Sequence, residues 1–194
     1  MTRAVASRAS KPGRAARVKT YSPQPAAVDP VQHSDPHVRK LAEFFSSHPT
    51  WVVAARNVAD GASSRVHFSH IPEQFQLVRR DGKSWLLPGE AADPDFAFRF
   101  TPAAIDRITS VDGDVGDFAV ALFRAIVDRN PGEQVGFRVV APFRRLLVRG
   151  YVTLLVRSGP KVLRYGAEHG VGTIGELRRF VSQTRVSDPR WRDL

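Results

Sequence analysis

No cysteine occurs among the 194 residues. Its absence excludes disulfide staples, thiolate metal sites and cysteine nucleophiles together, and it fits a reducing cytosol. Hydroxylated rings are scarce too. With 3 Tyr against 12 Phe, aromatic bulk here comes mostly without a polar handle. No apolar run approaches the ~20 residues that a membrane-spanning helix needs. The N-terminus has charge but no apolar leader core, so no secretory signal is expected. Acidic residues are missing from positions 1–28, which carry Arg3, Arg8, Lys11, Arg14, Arg17 and Lys19 among Ala, Ser, Pro and Gly. With no apolar periodicity either, residues 1–34 read as a basic flexible tail.

What is present suffices for one globular domain over 35–194. Hydrophobic residues make up 42% of the chain, enough for a real core. Net charge is +10, carried by 24 Arg against 5 Lys. Such an excess favours polyanions, whether nucleic acid, anionic membrane or acidic protein, and it says nothing about fold.

Local signals divide the domain. Asp35-Pro36 opens a helix, with Val38, Leu41, Ala42 and Phe45 on one face. His48-Pro49 ends it, and Thr50 is the expected cap of a second helix that stops at Asp60-Gly61. Strands are predicted over 65–69, 74–80, 83–87 and 95–100. Asp81-Gly82 joins two of them as a tight hairpin, because both turn residues tolerate positive φ. Phe96, Phe98 and Phe100 alternate with Asp95, Ala97 and Arg99, so a sheet with one buried face is expected. Thr101-Pro102 opens a helix carrying Ile105 and Ile108. A second helix over 117–128 carries Phe118, Leu122, Phe123 and Ile126. Another strand follows over 134–140 with Val135 and Phe137. Between Pro142 and Arg157 one helix is expected, with Leu146, Leu147, Gly150, Tyr151 and Leu154 on its apolar face and Arg145 and Arg149 opposite. Thr173 and Glu176 have the spacing of a capping box. Clustered strands with segregated helices indicate an α+β fold, one mostly antiparallel sheet covered by helices.

The stretch from Val66 to Arg157 resembles the sterol carrier protein lipid-binding domain family. The residues that carry the resemblance are the strand Val66 to Ser69, the run from Phe75 through Asp81-Gly82 to Leu87, the phrase Ala92-Asp93-Pro94-Asp95-Phe96-Ala97-Phe98, and the two helices after Thr101. One departure follows the last strand, where the family's Gly-Asp pair is replaced by Ala141-Pro142. The resemblance implies a five-stranded sheet and helices enclosing an apolar tunnel for sterols, fatty acyl chains or isoprenoids, with no catalytic residues. Residues 158–194 would then be a helical extension.

The residues independently support apolar walls, since lipids need a concave surface with few polar anchors. The candidate lining is Phe98, Phe100, Ile105, Ile108, Phe118, Leu122, Phe123, Ile126, Phe137, Leu146, Leu147, Gly150 and Leu154. Gly150 stands out as a point of close approach, either for a neighbouring backbone or for a ligand. If ligand is stored, an apolar void above ~300 Å³ is expected.

Other chemistry is weaker. The run Asp112 to Asp117 lacks the twelfth-position Glu of a calcium loop, that place being Phe123, and it reads as a helix cap. His67 and His70 have no third ligand nearby, so no metal site is expected. His169 has no nucleophile in a strand-turn-helix elbow. The glycines from Gly166 to Gly175 follow a helix, not the strand that a dinucleotide site requires. Neither cofactor nor enzymatic activity is expected. The reading is a cytoplasmic lipid-binding, lipid-presenting or lipid-transfer module whose basic tail favours peripheral contact with anionic membranes. Two alternatives remain: a basic nucleic-acid-binding protein, and an accessory subunit presenting an isoprenoid or quinone precursor to a partner enzyme.

Overall fold

A computed structural model of the chain describes residues 33–127 and 132–170, together with 173, 175, 176, 178 and 179. Most of the basic tail and of the C-terminal extension therefore lies outside the described residues. Helix starts follow the local capping chemistry. Asp35 accepts the amides of His37 and Val38 at 2.9 and 3.0 Å, with proline in the first turn of α1 (Pro36–Ser47). Thr101 accepts the amide of Ala104 at 3.3 Å and starts α3 (Pro102–Thr109). Asp114 and Asp117 cap each other reciprocally at the head of α4 (Val115–Val127): each accepts the other's amide, at 3.0 and 3.2 Å. The acidic run is thus a cap. Thr173 and Glu176 make the same reciprocal pair.

α2 (Pro49–Ala54) departs from expectation. It begins at Pro49 with His48 in the cap position, and Thr50 donates its hydroxyl to the Gly113 carbonyl instead. The chain continues through a 3-10 turn at Ala55–Asn57 into β1 (Ser63–Phe68), β2 (Gln74–Arg80), β3 (Lys83–Pro88) and β4 (Phe96–Phe100). Asp81 and Gly82 both take positive φ, 53° and 70°, as a two-residue hairpin demands. β5 (Val135–Val139) follows α4, and then come α5 (Phe143–Val148), α6 (Tyr151–Arg157) and α7 (Pro160–Glu168).

The architecture is α+β, with seven helices among the described residues and a five-stranded sheet ordered β3-β2-β1-β4-β5. The central pair β1–β4 is parallel and the other three pairings are antiparallel. Register puts Ser64, Val66 and Phe68 on one face with Phe96, Phe98 and Phe100. Phe75, Leu77 and Arg79 of β2 and Val135, Phe137 and Val139 of β5 share that face. The helices pack on it, and Leu41, Val66, Phe100, Ile105 and Ile108 are sealed in the core.

The opposite face is not simply solvated, contrary to the one-sided expectation. Leu87 and Ala97 lie there and are buried. The connection 89–95 must cross the sheet from edge strand β3 to β4. Buried Ala91 and an ion pair between Glu90 and Arg65 (2.5 Å) mark its path.

Asp35 also ties α1 to the β1–β2 loop through His70, at 3.0 Å. Burial works against its charge, but the amides of Val38 and His37 and the His70 ring outweigh that, and its carboxyl sits below the ordinary 3.8. A depressed folded pKa stabilises above the unfolded value and is lost as pH falls through the folded one. Asp35→Ala should therefore cost about 1 kcal/mol at neutral pH, with the difference from the parent shrinking once pH drops below 3.8. Urea midpoints at neutral and acid pH measure this, and a gap that widened in acid would contradict it.

Candidate functional site

The inner face of the sheet and the helices do not close completely. Between them lies a cavity of about 210 Å³. The floor is Phe96, Phe98, Phe100 and Phe137 from the sheet, and the roof is Phe118, Ala119, Leu122, Phe123 and Ile126 from α4. Trp51 and Ala54 of α2 close one side, and Leu146, Tyr151, Leu154 and Leu155 of α5 and α6 close another. Stacked and tilted contacts among the floor rings (Phe96 on Phe137 at 5.5 Å, Phe98 on Phe100 at 5.7 Å) leave few alternative rotamers for them. The volume falls below the ~300 Å³ expected from sequence and below the usual range of drug-sized pockets. In this conformation there is room for a short apolar chain or for part of a longer one.

Of the residues proposed as lining, Phe98, Phe100, Ile108, Phe118, Leu122, Phe123, Ile126, Phe137, Leu146 and Leu154 do border this space. Three do not. Ile105 is fully buried in the packed core beyond it. Leu147 is 53% exposed, because the expected single helix over 142–157 is two. Gly150 causes that break. It adopts φ 83° and heads α6, and a Cβ there would sit 2.0 Å from the Asn57 carbonyl oxygen. The close approach is to a neighbouring backbone, not to the cavity.

Sequence reasoning missed the walls from α2, β2 and β3: Trp51, Leu77, Arg79 and Ser84. Trp51 and Leu77 belonged to elements already predicted, but their faces depend on how α2 docks, which no local pattern specifies.

It also missed the polar cluster beside the cavity. Asp95, placed by alternation on the outward face, precedes β4 and is wholly buried. Its Oδ2 accepts from Arg149 at 2.6 Å and from the Tyr151 hydroxyl at 3.1 Å. Arg145 Nε lies 2.9 Å from Oδ1, an ion-pair contact too oblique for a hydrogen bond. Arg145 Nη1 also contacts both Asp93 oxygens, at 2.5 and 2.6 Å, while its Nη2 donates to the Pro94 carbonyl. The hydrogen bond from Arg145 outweighs desolvation and holds the Asp93 carboxyl below its ordinary value. Burial, followed by the Asp95 charge, pushes the Tyr151 hydroxyl far above its ordinary value, so it stays a neutral donor. The chemical output of this cluster is structural. It pins α5 and α6 to the sheet and sets Tyr151 in the cavity wall.

The same bonds engage two arginines of the last third, Arg145 and Arg149, with the buried Asp95. Among the described residues no helix is long and apolar enough to cross a membrane.

No family model and no curated protein matches the chain. A solved structure described as a UbiJ-SCP2 ubiquinone synthesis protein aligns with 61% of this chain and 89% of its own at 17% identity, with a TM-score of 0.35. Likeness that loose transfers neither ligand nor partner.

Proposed function

We propose that the protein binds a lipid-like molecule without transforming it, in the cavity between the sheet and α4. The observation that carries this reading is the apolar cavity itself, with four phenylalanines below and an apolar helix above. Well-packed interiors leave few voids larger than a water molecule, so a space of this size, walled by carbon, is a binding feature. The Asp95 cluster, which reaches the cavity only through Tyr151, is engaged in holding helices, which fits a role without chemistry. The sequence resemblance of residues 66–157 to the sterol carrier protein family supports the same reading. A net charge of +10 suits visits to anionic membranes, where lipid is loaded or delivered.

Mass spectrometry of an organic extract of the purified protein should find a stoichiometric lipid. A delipidated sample should take up a fluorescent fatty acid. Leu122→Trp, which fills the cavity from its roof, should weaken that uptake about tenfold or more while leaving the thermal midpoint unchanged or higher. A folded, delipidated protein that takes up neither acyl nor sterol probe would sink the reading.

A further inference from the structure

The cavity has two unlike ends. Toward the middle and far rows of the sheet its wall is phenylalanine. At the row where β2 ends and β3 begins, Arg79 and Ser84 face each other across the pair, and Ser64 stands one row in. All three border the cavity. Arg79 is 7% exposed. Its Nη1 donates to the Ser84 hydroxyl at 3.3 Å, and its Nε is buried with no hydrogen-bond partner. Among the described residues no carboxylate lies within ion-pair distance of it. Asp60 supports its charge from further off, while Asp60 Oδ1 accepts the Gly82 amide.

This arrangement is costly for an empty protein. A buried guanidinium normally has an acid partner, as the largely buried Arg149 has in Asp95. A buried donor left unpaired calls for an explanation in a native structure. Met or Leu at position 79 would fill the same apolar wall at no electrostatic penalty. The chemically matching partner is an oxyanion, and Arg79 borders the cavity from which one would reach it.

We propose that Arg79, with Ser84 beside it, is the anchor for the anionic head of an amphiphile whose chain lies along the phenylalanine floor. The head is a carboxylate or phosphate, and a sterol or other neutral lipid is the poorer ligand. The inference rests on the lipid-binding reading and narrows its ligand class. It also gives the ligand a direction in the cavity, head at the β2–β3 end and tail under α4.

The test uses the full-length, delipidated protein near pH 8, titrated calorimetrically with decanoate, decyl phosphate, methyl decanoate and decanol. At least one of the two anions should bind between about 10- and 100-fold more tightly than the neutral pair, the difference expected of a hydrogen bond to a charged group. The tighter of the two identifies the head as carboxylate or phosphate. Arg79→Met should bring the anions down to the neutral ligands while leaving methyl decanoate binding intact. Arg79→Lys, which keeps charge but loses the fork, should retain part of the preference. Thermal unfolding of the empty Arg79→Met variant serves as the folding control, and its midpoint should rise because an uncompensated buried charge is gone. Equal affinity for decanoate, decyl phosphate and methyl decanoate in the parent protein would overturn the anchor but spare the lipid site. An unchanged anion preference in Arg79→Met would do the same. If none of the four ligands binds, the lipid reading itself is lost.

Discussion

Asp95→Ala should destabilise the protein by about 3 kcal/mol, the low end of what breaking a buried ion pair costs. The low end applies because Arg145 and Arg149 keep roughly a quarter of their side chains in water and Arg145 retains Asp93. Three losses coincide. Arg149 loses its acid, the Tyr151 hydroxyl loses its acceptor, and the Ser63 amide loses a long contact at 3.4 Å. For a chain of this size the expected fall in Tm is roughly 6–12 °C. Asp95→Asn preserves shape and part of the hydrogen bonding and should cost less. A double-mutant cycle with Arg149→Met isolates the pair, and a coupling energy near zero would show that the two residues are merely adjacent. Equilibrium urea unfolding supplies all of these numbers.

Gly150→Ala is the second large effect. Left-handed backbone costs an L-residue about 1–2 kcal/mol, and overpacking a tight contact costs about 1–3 kcal/mol more. Both apply here, because the added Cβ would lie 2.0 Å from the Asn57 oxygen, which is backbone and has little room to yield. Relief requires α6 to move away from the 3-10 turn at Ala55–Asn57, pulling Tyr151 from Asp95. Loss of about 3 kcal/mol is expected, together with weakened lipid uptake in whatever fraction folds. Gly170→Ala is the internal comparison. Gly170 follows the end of α7 with positive φ, 76°, but its added Cβ meets nothing within 4 Å, so only the backbone part of the cost should appear. Similar losses at both positions would show that the Asn57 contact contributes nothing.

The features legible in the sequence are those decided within a few residues. Asp81-Gly82 states its own turn, and Asp35-Pro36 and Thr101-Pro102 state their own helix starts. The Phe96/Phe98/Phe100 alternation survives because register and pleat are local. What was not legible depends on residues far apart in the chain. The Phe143–Arg157 stretch has one continuous helical pattern, and only the Asn57 carbonyl nearly 100 positions earlier makes the Gly150 break comprehensible. Leu147 was misplaced as well: α5 buries Leu146 and leaves Leu147 outside. Asp95 reads as an outward residue alongside Ala97 and Arg99. Its burial requires Arg145 and Arg149, fifty positions downstream, to fold back onto it. Arg79 reads as one basic residue beside Arg80. Its inward aim follows from the strand register, which sets it opposite Ser84 on the face of Phe75 and Leu77, and a charge pattern does not encode that.

The parallel pairing of β1 with β4 has one further consequence. Ser64 meets Phe96 only after the chain has gone out through β2 and β3 and returned, 32 residues later. Loop-closure entropy is spent before such contacts reward it, so the β2–β3 hairpin should form early and the phenylalanine floor late.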